Sequence, residues 1–205
     1  GGPIGAAEAY MAGDWETDDL VGVLRLFLAN RSVLEALDGG WNLLQKPLRR
    51  LHHFLNRDTI AQSKKNIAAH YDLGNDFFSL FLDPTMSYSG GVFVNPEDSM
   101  EQASINKFDA ICRKLDLKPS DEVIEIGTGW GGFAMYAAEH YGCHVTTTTI
   151  SEEQFAYADE EITRRGLKGR ITLLKDDYRQ LKGQYDKLVS IEMIEAVGLA
   201  YLPLF

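Results

Sequence analysis

The run Val123-Ile124-Glu125-Ile126 drives into a glycine cluster, Gly127-Thr128-Gly129-Trp130-Gly131-Gly132, and an apolar helical pattern follows at once in Phe133, Met135, Tyr136, Ala137 and Ala138. β-Branched residues favour extended backbone, and glycine admits the sharp turn that follows it. The spacing therefore predicts a strand, a tight turn and a helix, the first unit of a parallel α/β sheet of the nucleotide-binding kind. Gly127 and Gly129 would bring the backbone close to a ligand, with the N–H groups of the helix start facing it. Glu125 interrupts an apolar strand, where burying a charge is costly without a partner. It stands near the carboxyl end of that strand, the end at which open α/β sheets bind ligands.

The spacing Glu125-x-Gly127-x-Gly129-x-Gly131 resembles the first motif of the S-adenosylmethionine (SAM)-dependent methyltransferases more than the Gly-x-Gly-x-x-Gly of dinucleotide enzymes. The cofactor expected from it is SAM.

Composition narrows the field. With 205 residues, 45% of them hydrophobic, the chain can bury one sizeable core and an appendage. A net charge of −10 argues against a non-specific nucleic-acid binder. Cys112 and Cys143 form no Cys-x-x-Cys pair and no disulfide framework, which suits a reducing cytoplasm. No apolar run approaches the roughly 20 residues of a membrane span.

Along the chain, residues 1–17 show no periodicity. From Asp18, a candidate N-cap, apolar residues recur at Leu20, Val23, Leu24, Phe27 and Leu28, and Gly39-Gly40 ends the pattern. Leu44, Leu48, Leu51 and Leu55 share a second helical face, with Lys46, Arg49, Arg50, His53 and Arg57 around it. That segment reads either as a packed helix with a solvated basic face or as a helix lying on an anionic bilayer. His52 and His53 point apart and make no metal site.

Two short helices, broken at Gly74-Asn75, are expected over 66–84, with Phe77, Phe78, Phe81 and Leu82 as core residues. Ser99 with Gln102, and Ser151 with Gln154, have the spacing of capping boxes. Further strands are expected at His144 to Ile150, Arg170 to Lys175 and Lys187 to Ile191. Where a dinucleotide enzyme carries an acid after its second strand, this chain has Thr149-Ile150-Ser151-Glu152-Glu153-Gln154. Gln154 can be a helix cap or a ligand contact on that pattern.

His70-Tyr71-Asp72-Leu73-Gly74-Asn75-Asp76-Phe77-Phe78, then Phe81-Leu82-Asp83-Pro84-Thr85 and Tyr88-Ser89, closely resemble the cyclopropane-fatty-acyl-phospholipid synthase family, which includes the mycolic acid cyclopropane synthases. The glycine turn with Trp130, the Thr149 to Gln154 element and Val189-Ser190-Ile191-Glu192-Met193-Ile194-Glu195 continue the match in order over residues 64–205.

The resemblance implies a Rossmann-like SAM-dependent methyltransferase sheet of α/β class behind a mainly helical amino-terminal region. The organisation expected is 1–63 helical, 64–120 a helical cap and 121–205 the first half of the SAM-binding domain. About three further strands would complete the family's sheet, and the chain reaches Phe205 before them. Tyr88 and Ser89 would close over SAM, Gly127, Gly129 and Gly131 would pass close to it, Thr149 and Gln154 would hold its polar groups, and Asp177 and Tyr178 would lie near the adenine. Glu195 matches the family's acid beside a bicarbonate ion, which acts as the base, with no metal. Tyr71 offers an aromatic face to a carbocation.

There are two departures. Gly90 stands where many members have Cys, so a bicarbonate contact could survive there only through the backbone, and Ala196 stands where some have His. The activity implied is cyclopropanation of an unsaturated acyl chain, with methyl or methylene branching, or a silent lipid- or SAM-binding homologue, as the alternatives. The partners implied are an unsaturated phospholipid or other lipid acyl chain and a membrane surface touched peripherally from the cytoplasm, with a homodimer left open and no nucleic acid.

Overall fold

A computed structural model describes residues 2–31, 74–194, 197 and 202. The chain divides into two compact units, Gly1–Arg57 and Asp58–Phe205. The basic segment Lys46 to Arg57 and the motif His70 to Leu73 lie outside the described residues.

In the first unit, α1 spans Gly2–Met11, where no periodicity predicts a helix. The physical reason is composition: alanine has the highest helix propensity, and Pro3 falls in the first turn, where a missing N–H is harmless. Trp15 folds back on this helix, donating Nε1–H to the Ala6 carbonyl at 3.0 Å and setting its ring 4.8 Å from that of Tyr10. The next helix, α2, spans Leu20–Ala29. Its cap is Asp19 rather than the expected Asp18: Asp19 Oδ1 accepts from the Gly22 N–H at 2.8 Å. Asp19 stands directly before the first helical residue, the position from which a short carboxylate reaches the free amides.

The second unit is a parallel four-stranded sheet in the order β3-β2-β1-β4, with β1 Glu122–Ile126, β2 His144–Thr148, β3 Ile171–Leu174 and β4 Lys187–Ser190. Ahead of it come α3, Gly74–Ser79, and α4, Met100–Lys114, while α5, Gly132–Tyr141, and α6, Glu152–Arg164, connect the first three strands. The chain runs outward from β1 to β2 and β3, then crosses to the other side of β1 to place β4. The switch point at the carboxyl ends of β1 and β4 is where such a sheet leaves a crevice.

The core forms on both faces of β1. Val123, Val145, Cys112, Ala134, Ala137 and Ala158 are fully buried, and Phe108 of α4 meets Phe133 of α5 edge-on at 6.1 Å. The buried residues of α4 are Ala103, Ser104, Lys107, Phe108 and Cys112, one face at helical spacing. Ser99 caps this helix by accepting from the Gln102 N–H at 3.1 Å, but the Gln102 side chain donates to Asn106 rather than returning to complete the box. Of the four apolar residues expected in the core near α3, only Phe78 is buried, while Phe77 is 42% and Phe81 55% exposed. A six-residue helix has one inward face, and Phe78 takes it.

Ile162, on the inner face of α6, is 1% exposed. Ile162→Ala is expected to destabilise the second unit by about 2–5 kcal/mol, read as a lower urea midpoint with an unchanged denaturant slope.

Candidate cofactor and active site

Glu125 is paired in register within β1 with Thr147 of β2 and Val189 of β4. It is 2% exposed. Thr147 donates its hydroxyl to Glu125 Oε2 at 2.6 Å. Thr147 has one hydrogen and gives it to this carboxyl oxygen, so the 2.7 Å contact between Thr128 and Thr147 has Thr128 as the donor. A relay Thr128→Thr147→Glu125 thus links the glycine turn to the middle of the sheet. Burial pushes the Glu125 carboxyl up to about 8, against the opposing pull of the Thr147 hydrogen bond.

Thr148 and Thr149, which follow in the chain, are satisfied in the same way. Thr148 donates to the Asp176 carbonyl. Thr149 donates to Gln154 Oε1 at 3.0 Å and accepts from the Ser151 N–H at 3.2 Å. Thr147, Thr148 and Thr149 can be buried because their hydroxyls have partners. Ser151 does cap α6, accepting the Gln154 N–H at 3.3 Å. The Gln154 side chain turns instead to Thr149, so the residue both receives a cap and builds a wall.

These groups surround one chamber of about 600 Å³ at the carboxyl ends of the strands. Tyr88, Ser89, Glu125, Gly127, Gly129, Thr149, Gln154, Asp177 and Tyr178 all line it. Gly131 does not: at φ +90° it is the N-cap of α5, and a Cβ there would face Ala158 and Met135 at 3.4 Å. Gly90 borders a second opening beside the chamber. Glu195 and Tyr71 lie outside the described residues.

Two amides of the turn are spent within the sheet. The N–H groups of Gly127 and Thr128 do not face the chamber, because both donate to the Thr148 carbonyl, at 3.3 and 3.0 Å. They fasten β1 to β2 and leave the open face of the turn to Gly129 and to the start of α5, which carries no side-chain cap. Gly127 adopts φ +97°, a conformation that excludes a side chain on steric grounds. Gly132 is needed for a close approach, since a Cβ would stand 2.8 Å from the Thr85 carbonyl oxygen.

Several wall residues are not singled out as site residues by the sequence. Arg179 grips Asp177 with Nε and one terminal nitrogen, at 2.7 and 2.6 Å, so the buried Asp177 carboxylate is charge-balanced. Trp130 packs on Phe78 with ring centroids 4.9 Å apart and donates to Asn75 Oδ1 at 2.7 Å. Glu192, just after β4, accepts from Ser89 Oγ at 2.9 Å and from the Gly90 N–H at 3.1 Å. The signal that could have singled it out is the one that marks Glu125: an acid at the carboxyl end of an apolar strand.

A parallel 3-2-1-4 sheet with its chamber at the switch point, a buried acid before a glycine turn and a polar wall after β2 defines the class: this is the Rossmann-like fold of the SAM-dependent methyltransferases. The family model of mycolic acid cyclopropane synthetase matches residues 58–205, and the chain belongs to that family.

Among relatives, it is 42% identical over 208 residues to the cyclopropane-fatty-acyl-phospholipid synthase of Escherichia coli K12, covering 96% of this chain and 50% of that protein. It is 37% identical over 210 residues to the tuberculostearic acid methyltransferase of Mycobacterium tuberculosis, covering 98% of this chain and 48% of the relative. A solved mycolic acid cyclopropane synthase complexed with SAH and CTAB superposes with a TM-score of 0.65 at 33% identity, over 67% of this chain and 48% of that one. The chain spans about half the length of the curated relatives it matches. Among the described residues, no helix is long and apolar enough to cross a membrane.

The raised Glu125 carboxyl has a consequence for stability. Between its ordinary value of 4.5 and about 8 the folded protein keeps this proton while the unfolded chain loses it. The folded state therefore loses stability as pH rises through that window. Glu125→Gln cannot ionise and keeps an acceptor for Thr147. Urea midpoints measured from pH 5 to pH 8.5 are expected to fall more steeply for the native protein than for the variant, by no more than about 1.4 kcal/mol for each pH unit crossed.

Proposed function

We propose that this chain contributes the cofactor chamber of a SAM-dependent C-methyltransferase that adds one carbon to the double bond of an unsaturated fatty acyl chain, in a phospholipid, to form a cyclopropane. The observation that carries the reading is the chamber wall: a buried carboxyl on β1, a Thr149–Gln154 pair after β2 and the Asp177–Arg179 pair after β3 converge at the switch point. That is a polar and partly acidic lining, and it fits a compact ligand carrying a cationic sulfonium and an ammonium group. Membership of the family and the lipid-modifying activities named for the relatives support the choice of acceptor.

When bound, SAM would supply a methyl group: an alkene carbon would take it as the S–CH3 bond breaks to release SAH, and the carbocation left would close to a ring once a base took a proton from the new methyl. The chain's own residues make three contributions. Glu125 and the Thr128–Thr147 relay give the chamber an acid in a low-dielectric place, ready to ionise beside a cation. Thr149, Gln154, Asp177 and Tyr178 orient the cofactor, Gly127 and Gly129 let it approach the backbone, and a fixed pose supplies much of the rate of methyl transfer. Trp130, Phe133, Ile191, Met193 and Val197 add apolar wall that keeps water from trapping the cation. Tyr88 and Ser89 close the side of the chamber nearest the second opening, where Phe81, Leu82 and Met100 offer an apolar path for an acyl chain.

A bicarbonate ion does not fit at Ser89 and Gly90. Both donors already bind Glu192, and an external anion there would meet a like charge. A proton leaving from elsewhere on the cation would give a methylene branch, the second reading.

The test uses the full-length protein, vesicles of an unsaturated phospholipid and SAM labelled in its methyl, with the acyl chains read by mass spectrometry and NMR. Label is expected in a cyclopropane, and Gln154→Ala is expected to weaken SAH binding about tenfold, the scale of one or two lost hydrogen bonds. Label in a methylene branch would select the second reading. Unlabelled lipid together with measurable SAH binding would reject the lipid acceptor.

A further inference from the structure

The segment Tyr88–Gly90 separates the 600 Å³ chamber from the neighbouring opening of about 490 Å³. The chain on either side of it is fixed to α4. Before it, Ser104 Oγ donates to Asp83 Oδ2 at 2.9 Å and Lys107 Nζ to Ser87 Oγ at 2.7 Å, both from buried positions. Burial lowers the affinity of Lys107 for its proton, while Glu192 and Asp83 oppose that and help to keep it charged. After the segment, Val92 N–H donates to the Ala103 carbonyl at 2.9 Å, and Gly91 lies so near α4 that a Cβ would stand 2.6 Å from that of Ala103.

Between these anchors Tyr88 packs against the rings of Phe78 and Phe81, and Ser89 and Gly90 converge on one carboxylate oxygen. Glu192 Oε1 accepts from Ser89 Oγ at 2.9 Å and from Gly90 N at 3.1 Å, two donors on successive residues. Glu192 itself adopts φ +48°, a left-handed conformation rare for a residue with a side chain. A residue held there needs a reason, and convergent hydrogen bonds to a distant segment supply one. The anchors on α4 are buried, whereas Glu192 is exposed, so solvent can reach and open this hydrogen-bonded contact.

We propose that Glu192 is a positioning residue: it latches the Tyr88–Gly90 wall across the mouth of the chamber and sets its polarity. The proposal rests on the SAM reading for its consequence, not for its geometry. By taking the only hydrogen of Ser89, the carboxylate leaves Ser89 Oγ with lone pairs alone to offer a ligand. By taking the Gly90 N–H, it removes the adjacent donor. The wall is then an acceptor surface, suited to a cationic cofactor and closed to a small anion.

The test is amide hydrogen exchange over Tyr88–Gly90 together with SAH affinity by calorimetry, on the full-length protein and on Glu192→Gln and Glu192→Gly. Gln keeps an oxygen that accepts both hydrogen bonds, so exchange and affinity are expected to stay within about threefold of the parent. Gly accepts φ +48° without strain, so the fold is retained, but the latch is lost. Exchange at Gly90 is expected to rise, and SAH affinity to fall, about tenfold each. Parental exchange at Gly90 in the Gly variant, or an equal loss in the Gln variant, would overturn the proposal. A parent protein that binds no SAH would reject the SAM reading, and the exchange data would still decide the latch.

Discussion

The hydrogen bond from Thr147 to the buried Glu125 carboxyl sits where sheet, turn and chamber meet, and each depends on it. It joins β1 to β2 through side chains at a point where the backbone ladder already pairs the same two residues. It takes the one hydrogen of Thr147, which obliges Thr128 to donate in turn and so fixes the first residue after Gly127. It also keeps an acid in an apolar sheet by giving it a partner, without which burial would be prohibitive. An apolar residue at 125 would pack more simply. The acid is retained at the cost of a raised carboxyl pKa, and such a perturbation in the wall of a crevice marks a site built for a ligand.

Three of the four acids that line the chamber are held in three different ways. Glu125 is buried and partnered by a hydroxyl, so its charge responds to what binds beside it. Asp177 is buried but gripped by Arg179, which fixes its charge and its position together. Glu192 is exposed and accepts from two neutral donors, so it holds a loop. One charge is free to respond, one is balanced and one is structural. A cationic ligand gains from the first without having to displace the second.

Legibility in the sequence follows the range of the physics involved. The glycine turn, the four strands and the Ser99 and Ser151 caps depend on residues within a few positions of one another, and the patterns for them are visible in the chain. Thr149 and Gln154 are visible as a polar element where a dinucleotide enzyme carries an acid, but their hydrogen bond to each other depends on a rotamer that no spacing dictates. α1 escapes a reading by periodicity because alanine propensity stabilises it rather than an apolar stripe. The exposure of Phe77 and Phe81 escapes a count of aromatics, which does not say which face a short helix turns inward. Glu192 escapes as a site residue because its partners are more than a hundred residues away, and only the fold brings Ser89 and Gly90 to it.

That distinction between local and distant contacts also separates the two sides of the site. The cofactor side is made of strand ends and the turns that leave them, tied by backbone pairing and by buried hydroxyls whose geometry the sheet imposes. The other side, where the proposed acceptor would enter, is made of the Asp83–Gly90 loop, of α3 and of the turn after it: the Phe78 ring lies 5.6 Å from that of Tyr88, and the Phe81 ring 6.3 Å from it. Substitutions on the first side disturb the sheet as well as the ligand. Substitutions on the second can reshape the wall while the sheet stands, because its anchors are a few side chains of α4 and the single carboxylate of Glu192. On the proposed reading, the donor would be seated by the sheet and the acceptor would meet the loop, so substitutions in the loop would alter the acceptor's surroundings while the donor's seat stays tied to the sheet.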